Sequence, residues 1–243
     1  MSNMLNISTW TVGTGSPTYW TRMGADDNNY RRYATDPWGK QTLLWECIET
    51  DTVANSYGGG WNSTTHIYID PTKRYRFSVW VNRTVFGHGN FYLGTNEYSA
   101  AGSNRGLTDI TSGANNNNAY FYYGSAILEG EWFLVVGHIH PYDYNGTALH
   151  ADSGIWRFNT KTKYGTINRE FKWRSDSART IHRSFLYNSI NPATRQFIFY
   201  PRIELCDGTE PSIQQLMRNG TYQASFNIGV KYLSIQAKDV IDN

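Results

Sequence analysis

The stretch "RYRFSVWVNR", residues 74–83, decides the fold class of this chain. Its large apolar residues fall at every second position, so in an extended strand they share one face while the intervening residues share the other. The first face holds Tyr75, Phe77, Val79 and Val81, and the second holds Arg76, Ser78, Trp80 and Asn82. Aromatic and β-branched residues in alternation predict a β-strand here.

Similar strand patterns recur along the chain, and clusters of Gly, Asn, Asp and Ser such as "SGANNNN" (112–118) separate them as turns. Helical periodicity is nearly absent, and residues 1–60 resemble polar loops around a few short strands. We therefore predict an all-β jelly-roll β-sandwich. The other strand-like phrases are "QTLLWECIE" (41–49), "NFYLGTN" (90–96), "AYFYYG" (119–124), "EWFLVVGHIH" (131–140), "SGIWRFN" (153–159), "FKWRS" (171–175), "TIHRSFLYNS" (180–189) and "RQFIFYPRIELC" (195–206).

One short C-terminal helix is expected around "SIQQLMRN", residues 212–219. Thr209 is the expected cap, Pro211 suits the first turn, and Gly220 is the expected end. Residues 1–218 are thus predicted to form the jelly-roll domain. Residues 219–243 are weakly strand-like and are expected to be a tail or an oligomerisation segment.

Composition excludes several classes of protein. The 243 residues carry a net charge of only +2, whereas nucleic-acid binders show a strong basic footprint. No run approaches the ~20 apolar residues of a membrane span, so membrane insertion is not expected, and no signal peptide is visible. Cys47 and Cys206 match no metal or redox spacing, and two buried thiols are favoured over one disulfide.

Several phrases, in this order, resemble jelly-roll modules of phage tail fibres, especially those of phages infecting cyanobacteria. Examples are "IDPTKRYRFSVWV" (69–81), "EWFLVVGHIHP" (131–141) and "YPRIELCDGTEPSIQQLM" (200–217). More distantly, "YRFSVWV" resembles the Y-x-F-S-x-W strand of carbohydrate-binding modules. The resemblance covers about residues 30–217 and rests on strand phrases, not on catalytic signatures.

The resemblance implies a non-catalytic, extracellular part of a virion tail that recognises polysaccharide on a host cell surface beside other tail proteins. It also implies a homotrimer, for which the apolar alternation of residues 222–232 is the only sign in the sequence itself.

An aromatic ligand surface is the first candidate site, because the chain holds 18 Tyr, 11 Phe and 9 Trp. Tyr and Trp offer flat apolar faces with a polar handle, which suits sugar rings. If Phe91 and Leu93 are core, Tyr92 faces outward, whereas alternation leaves open whether Tyr120 and Tyr122 or Phe121 and Tyr123 do so. Aromatics expected in loops join the set because loop tips commonly carry function. The predicted carbohydrate-binding residues are Trp61, Tyr92, Tyr98, Tyr120, Tyr142, Tyr144 and Trp156.

A metal site is the second candidate. His138 and His140 share one strand face and can chelate Zn²⁺, with His150 and Asp152 across the following loop. The alternative is that both histidines are polar members of an exposed strand face, with Tyr142 and Tyr144 at the tip of the loop. The phrases "GADDNN" (24–29) and "YDYNG" (142–146) offer oxygen ligands to Ca²⁺. No cofactor signature is present, and Ca²⁺ or another divalent metal is the cofactor that these residues could hold.

Catalysis is the third possibility. Jelly-roll polysaccharide lyases use Tyr or His as a base and Arg, Asn or Gln to neutralise a uronate, and such residues occur on the late strands: His182, Arg183, Tyr187, Arg195 and Tyr200. No spacing singles out a base and its partner, and no serine nucleophile signature is present. The acidic residues near apolar strands, which a glycosidase would need as an opposed pair, show no pairing: Glu46, Glu49, Glu131 and Glu204. We therefore expect glycan binding without catalysis, with a lyase or glycosidase and a purely structural virion protein as the alternatives.

Overall fold

A computed structural model describes residues 3–50 and 52–218 of the chain. Within these residues it has seventeen strands and one helix. In chain order they are β1 (Gly13–Thr14), β2 (Trp20–Arg22), β3 (Asn29–Thr35), β4 (Gln41–Ile48), β5 (Tyr57–Ser63), β6 (Ile67–Tyr68), β7 (Tyr75–Arg83), β8 (Asn90–Ser99), β9 (Leu107–Asp109), β10 (Asn115–Asn116), β11 (Ala119–Gly124), β12 (Trp132–His140), β13 (Gly154–Arg157), β14 (Thr162–Gly165), β15 (Phe171–Lys172), β16 (Ser177–Tyr187), β17 (Arg195–Leu205) and α1 (Ile213–Arg218).

Eight of these strands form a jelly roll. The larger sheet contains the order β4–β17–β7–β12, and the smaller sheet contains β5–β16–β8–β11, with antiparallel neighbours throughout. If the eight strands are numbered from one to eight along the chain, the two orders become 1-8-3-6 and 2-7-4-5. This is the double Greek key of a jelly roll, so the predicted fold class is confirmed.

Short strands extend both sheets. In the larger sheet β3 lies outside β4, and the far edge of β12 is shared between the β13–β14 hairpin and β15, which runs parallel to β12. In the smaller sheet β2 lies outside β5, and β6 pairs with β16. The outer face of the central strands β16 and β8 carries the site described below.

The space between the sheets is filled by aromatic and branched side chains, as the alternation in β7 predicts. Four indoles pack edge to face at one end, with ring centroids 5.3–5.5 Å apart: Trp10, Trp20, Trp45 and Trp61. The prediction that Trp61 lies in a loop and binds ligand is wrong, because it belongs to β5 and is 0% exposed. The "GGGW" stretch looks like a loop, but Gly59 and Gly60 are strand residues. A Cβ on either glycine would collide with the backbone of a neighbouring segment.

The outer face of the larger sheet, which points away from the smaller sheet, is also buried, although polar side chains lie among its apolar ones. Helix α1 packs on this face through Ile213, Leu216 and Met217. Beneath it the guanidinium groups of Arg76 and Arg202 both pair with the Glu204 carboxylate. The face of β7 opposite the inter-sheet core is therefore a second interior rather than a solvent-exposed surface.

The short helix is confirmed, but its predicted cap is wrong. Ser212 caps α1, since its hydroxyl accepts a hydrogen bond from the Gln215 amide and the Gln215 side chain accepts one from the Ser212 amide, 2.7 Å away. This reciprocal pair is a capping box. The Thr209 hydroxyl instead donates to Asp207. Gly220 and the predicted oligomerisation segment lie outside the described residues.

Both cysteines are free thiols, as favoured from the sequence, with Cys47 buried and Cys206 half-buried. Within residues 3–50 and 52–218, no helix is long and apolar enough to cross a membrane.

Candidate functional site

The outer face of the smaller sheet carries a group of aromatic side chains that we call the tyrosine face. It comprises Tyr57, Tyr92, Tyr120, Tyr123, Phe185 and Tyr187. These residues come from four neighbouring strands, β5, β16, β8 and β11. The face therefore exists only once the sheet has assembled.

Strand register brings the rings into contact. Phe185 lies directly across from Tyr92, which in turn lies across from Tyr123. The Phe185 and Tyr92 rings stack, with centroids 4.8 Å apart and an angle of 11° between planes, and Tyr92 stacks on Tyr123 at 5.9 Å. Tyr57 meets Phe185 edge to face at 5.4 Å. A continuous row of rings thus crosses four strands, in which each ring fixes the orientation of the next.

A β-bulge decides which aromatics of β11 face outward. The register shifts between Tyr120 and Tyr122, so Phe121 and Tyr122 both point into the core, while Tyr120 and Tyr123 lie on the outer face. Neither pair suggested by strict alternation is therefore the outward pair. Tyr120, one of the predicted carbohydrate-binding residues, therefore lies on the outer face.

Gly94 makes room for one ring. A Cβ at this position would lie 2.5 Å from Tyr120 Cδ1, so the Tyr120 ring covers the bare backbone of β8. Arg183 is the residue paired with Gly94 on β16. Its guanidinium carbon lies 5.2 Å from the centroid of the Tyr120 ring and 5.8 Å from that of Phe185. These distances are within the range of cation–π attraction.

Three asparagines hold this guanidinium group in place. Arg183 Nε donates to Asn62 Oδ1 at 2.8 Å, and Nη1 donates to Asn96 Oδ1 and Asn118 Oδ1, both at 2.7 Å. The three asparagines come from β5, β8 and the turn before β11. The centre of the face is consequently a fixed set of amide and guanidinium groups beside the aromatic row.

The tyrosines combine an accessible edge with a neutral hydroxyl. Tyr57 and Tyr123 are 39% and 38% exposed, and Tyr92 is half-buried. Burial raises the pKa of Tyr92 and, against the opposing effect of Arg183, that of Tyr120. Their hydroxyls are therefore protonated near neutral pH and can donate as well as accept hydrogen bonds.

A second aromatic pair lies toward the other end of the same face. Tyr98 follows Tyr92 by six residues on β8, a separation of about 20 Å along a strand. Its ring stacks on His66 at 4.5 Å. Of the predicted ligand aromatics, Tyr92, Tyr98 and Tyr120 thus share the smaller sheet.

The remaining predicted aromatics belong to the larger sheet. Tyr142 is exposed in the turn after β12, and the Tyr144 ring stacks on His140 at 4.0 Å. Trp156 lies on β13, where its Nε1 donates to the Asp152 carbonyl at 2.9 Å and Lys163 Nζ lies 5.2 Å from its ring. These three residues therefore do not form one surface with the tyrosine face.

The histidines of β12 are buried, contrary to the expectation of an exposed strand face. His138 and His140 are 1% and 2% exposed and converge on Glu170, which lies just before β15. Ser153 accepts from His138 Nδ1 at 2.6 Å and donates to Glu170 Oε1, while His140 Nε2 donates to Glu170 Oε2 at 2.6 Å. The His150 amide donates to the same Oε2 at 2.9 Å. The segment between β12 and β15 folds back over the strand and supplies these partners.

The charges of this cluster follow from the hydrogen bonds. Burial lowers the pKa of His138 to about 4, so the imidazole is neutral near neutral pH. Burial disfavours the ionised form of Glu170, but the polar contacts of His138, His140 and Ser153 with the carboxylate outweigh it and lower the pKa of Glu170. An ionised carboxylate thus serves as the shared acceptor of the cluster.

This arrangement does not match the predicted metal set. The shared third member beside His138 and His140 is Glu170, not Asp152, whose amide instead donates to His150 Nδ1. Throughout residues 3–50 and 52–218, no group of three or more His, Cys, Asp or Glu residues is arranged to hold a metal ion.

The same residues are not placed for nucleophilic catalysis. A serine nucleophile needs a histidine base whose second nitrogen is oriented by a carboxylate. Here Ser153 lies between His138 and Glu170 and is itself buried. His182, suggested as a lyase base, lies between the sheets at 0% exposure and points away from the tyrosine face.

Sequence reasoning missed Tyr57, Phe185 and the three asparagines. Phe185 and Arg183 are two residues apart in "HRSFLY", so alternation could have placed them on one face. Tyr57 meets Phe185, and the asparagines meet Arg183, only through strand register, for which no local pattern exists.

Carbohydrate-binding modules occur among the structural neighbours of this fold. The CBM22-1 and GH10 modules of Clostridium thermocellum endo-1,4-β-D-xylanase 10B, solved with xylohexaose, are 13% identical with a TM-score of 0.47, over 87% of this chain and 30% of that one. A putative sugar binding protein from Bacteroides thetaiotaomicron is 11% identical with a TM-score of 0.46, over 84% and 100% of the two chains. The C-terminal family 22 carbohydrate binding module of the Clostridium enzyme is 11% identical with a TM-score of 0.40, over 85% and 100%.

This chain thus spans less than a third of the first of these structures. No protein-family model matches the sequence, and no curated protein matches it. At these identities and TM-scores, the ligands of the neighbours do not transfer to this chain.

Proposed function

We propose that the protein binds polysaccharide through the tyrosine face, without catalysis. The observation that carries this proposal is the row of rings across β5, β16, β8 and β11, set beside a guanidinium group held by three asparagines. Sugar rings have apolar C–H faces that pack on aromatic side chains and hydroxyls that need donors and acceptors. Both kinds of group are present here, next to one another.

Preorganisation supports binding at this face. The rings fix one another, and Gly94 together with the β11 bulge sets the position of Tyr120. A ligand therefore meets side chains that have already lost most of their conformational freedom, which lowers the entropy cost of association.

A finer proposal concerns the biological setting. The sequence phrases that resemble phage tail fibres support a virion component, outside the cell, that recognises polysaccharide on a host surface. In a homotrimer, three modest sites would act together, because effective concentration raises the avidity of linked sites.

The test is a glycan-binding panel with three variants. Tyr92→Ala should weaken binding of any recognised polysaccharide about tenfold or more, since it removes the ring at the centre of the row. Tyr33→Ala, in β3 of the larger sheet and 65% exposed, is the matched control and should bind like the unchanged protein. Tyr142→Ala should also bind normally, because this residue lies outside the tyrosine face.

Three results would contradict the proposal. One is the absence of binding to every glycan and to host cells, which would favour a structural role. Another is normal binding by Tyr92→Ala. The third is depolymerisation of a bound polysaccharide, detected as reducing or unsaturated products.

A further inference from the structure

We infer that the polysaccharide bound by the tyrosine face carries an anionic substituent, a carboxylate or a sulfate, which Arg183 recognises. This inference rests on the proposed function and adds the chemical class of the ligand. The inference is drawn from the positive charge of Arg183, because the aromatic row alone does not indicate whether the ligand is charged.

The positive charge of Arg183 is buried without a neighbouring negative charge. The residue is 6% exposed, and its hydrogen-bond acceptors are the neutral amide oxygens of Asn62, Asn96 and Asn118. Its ring neighbours, Tyr120 and Phe185, are also uncharged. Within residues 3–50 and 52–218, no carboxylate forms an ion pair with this guanidinium group.

The other buried arginines of the protein have partners of two kinds. On the far side of the sandwich, Arg76 and Arg202 are 2% exposed and both pair with Glu204, whereas Arg31 and Arg83, 3% and 0% exposed, donate to backbone carbonyls. Arg183 differs from Arg31 and Arg83 in lying on the tyrosine face, next to the aromatic row. A buried charge is costly unless it is paired and hydrogen-bonded. At Arg183 the hydrogen bonds are present and the counter-charge is missing, so an anionic ligand group would complete the site.

The Tyr120 hydroxyl marks the point at which a ligand oxygen would approach. The asparagines bind Nε and Nη1 of Arg183, and the Tyr120 side chain is also hydrogen-bonded to this guanidinium group. A charge-assisted hydrogen bond from the guanidinium group to a ligand anion is stronger than one to a neutral hydroxyl. A sugar ring packed on the aromatic row could place a carboxylate or sulfate at this point.

A second arginine adds to the positive potential of the same face. Arg179 lies four residues before Arg183 on β16, about 13 Å away along the strand. Its guanidinium donates to the backbone carbonyls of Ser99 and Ala100, both at 3.3 Å. The net charge of the chain is only +2, so two arginines on one face, neither in an ion pair with a residue of 3–50 or 52–218, are a local feature of the binding surface.

The experiment compares polysaccharides that differ only in charge. One pair is polygalacturonate and its methyl ester, which tests a carboxylate. The other is a sulfated galactan and its desulfated form, which tests a sulfate. The full-length protein should bind the anionic member of at least one pair about tenfold or more tightly than the neutral member, and the pair that shows the preference identifies the group.

Two variants assign the preference to Arg183. Arg183→Gln should abolish the discrimination between members of a pair, whereas Arg183→Lys should retain part of it. Arg157→Gln makes the same change in net charge on β13 of the larger sheet and should leave the discrimination unchanged. If Arg183→Gln fails to fold, salt decides the question: raising the ionic strength from about 0.05 M to 0.5 M should reduce the preference of the unchanged protein.

The inference is wrong if the unchanged protein shows no preference within either pair, or if the preference survives Arg183→Gln or the rise in salt. Those results would leave the proposed function intact wherever Tyr92→Ala still abolishes binding to neutral polysaccharides. Failure to bind any member of either pair, together with a negative glycan panel, would overturn the proposed function as well.

Discussion

Two fully buried imidazoles should make the stability of this protein depend on pH well above the range in which carboxylates titrate. Trp61 Nε1 donates to His182 Nδ1 at 3.2 Å, so the proton of the neutral ring is on Nε2, which faces the Ser78 carbonyl at 3.3 Å. Burial lowers the pKa of His182 to about 3, against a smaller opposing effect of the Ser78 carbonyl. Burial likewise lowers the pKa of His138 to about 4.

The sign and size of the effect follow from these values. Below the unfolded-state pKa of 6.5, the unfolded chain takes up protons that the folded chain does not, so stability is lost as pH falls from 6.5 toward 4. Each histidine should lower the free energy of unfolding by about 1.36 kcal/mol per pH unit. Between about pH 6.5 and pH 4.5 the two together remove about 5 kcal/mol, a large part of the 5–15 kcal/mol typical of a domain. Glu170, whose pKa is lowered, adds a further loss only below its unfolded value of 4.5.

Urea unfolding at steps between about pH 7 and pH 4.5 measures this slope. His182→Gln keeps a donor and an acceptor but does not titrate, so its slope should be smaller than that of the unchanged protein by the share of one histidine, about 1.36 kcal/mol per pH unit. His88→Gln, in the loop between β7 and β8, is the matched control and should keep the full slope. A His182→Gln slope equal to that of the unchanged protein would refute the placement of a neutral imidazole between the sheets.

Two further predictions concern groups buried away from the tyrosine face. The Glu170 carboxylate accepts three hydrogen bonds, and in Glu170→Gln the side-chain NH₂ group would face one of these donors. The substitution should therefore lower the free energy of unfolding by about 3 kcal/mol. Thermal unfolding should show this as a fall of about 6–12 °C, while the exposed Glu129→Gln should change little. Burial raises the pKa of both thiols, that of Cys206 to about 12, so a thiol reagent near neutral pH should label Cys47 and Cys206 only after unfolding; rapid labelling of the folded protein would contradict this.

The sequence predicts those parts of the fold that depend on local pattern. In the strands β7, β12, β16 and β17, apolar and polar residues alternate clearly. The number of strand-like stretches along the chain and the spacing between them are enough to predict the jelly roll. The strand β5 escapes prediction because Gly58, Gly59 and Gly60 have the composition of a turn. At Gly59 and Gly60 a side chain is excluded by the close approach of backbone from other segments, and at Gly58 by the side chains of Glu49 and Leu186, all of which depends on the assembled sheet.

The candidate site likewise contains residues that local sequence patterns predict and residues that they do not. Tyr92 is predictable because Phe91 and Leu93 on either side of it are core residues. The outward pair on β11 is not, since a bulge breaks the alternation there. His138 and His140 are buried because the segment after β12 folds back and brings Glu170 over them. The spacing of residues within "GHIHP" does not predict this burial.

A crystal structure of the protein with a bound oligosaccharide, taken from the polysaccharide that it recognises, tests the central claim most directly. The account predicts sugar density across Tyr92 and Tyr120, with an anionic group within hydrogen-bonding distance of Arg183. Density at Tyr142, Tyr144 or Trp156 instead, on the larger sheet, would contradict it.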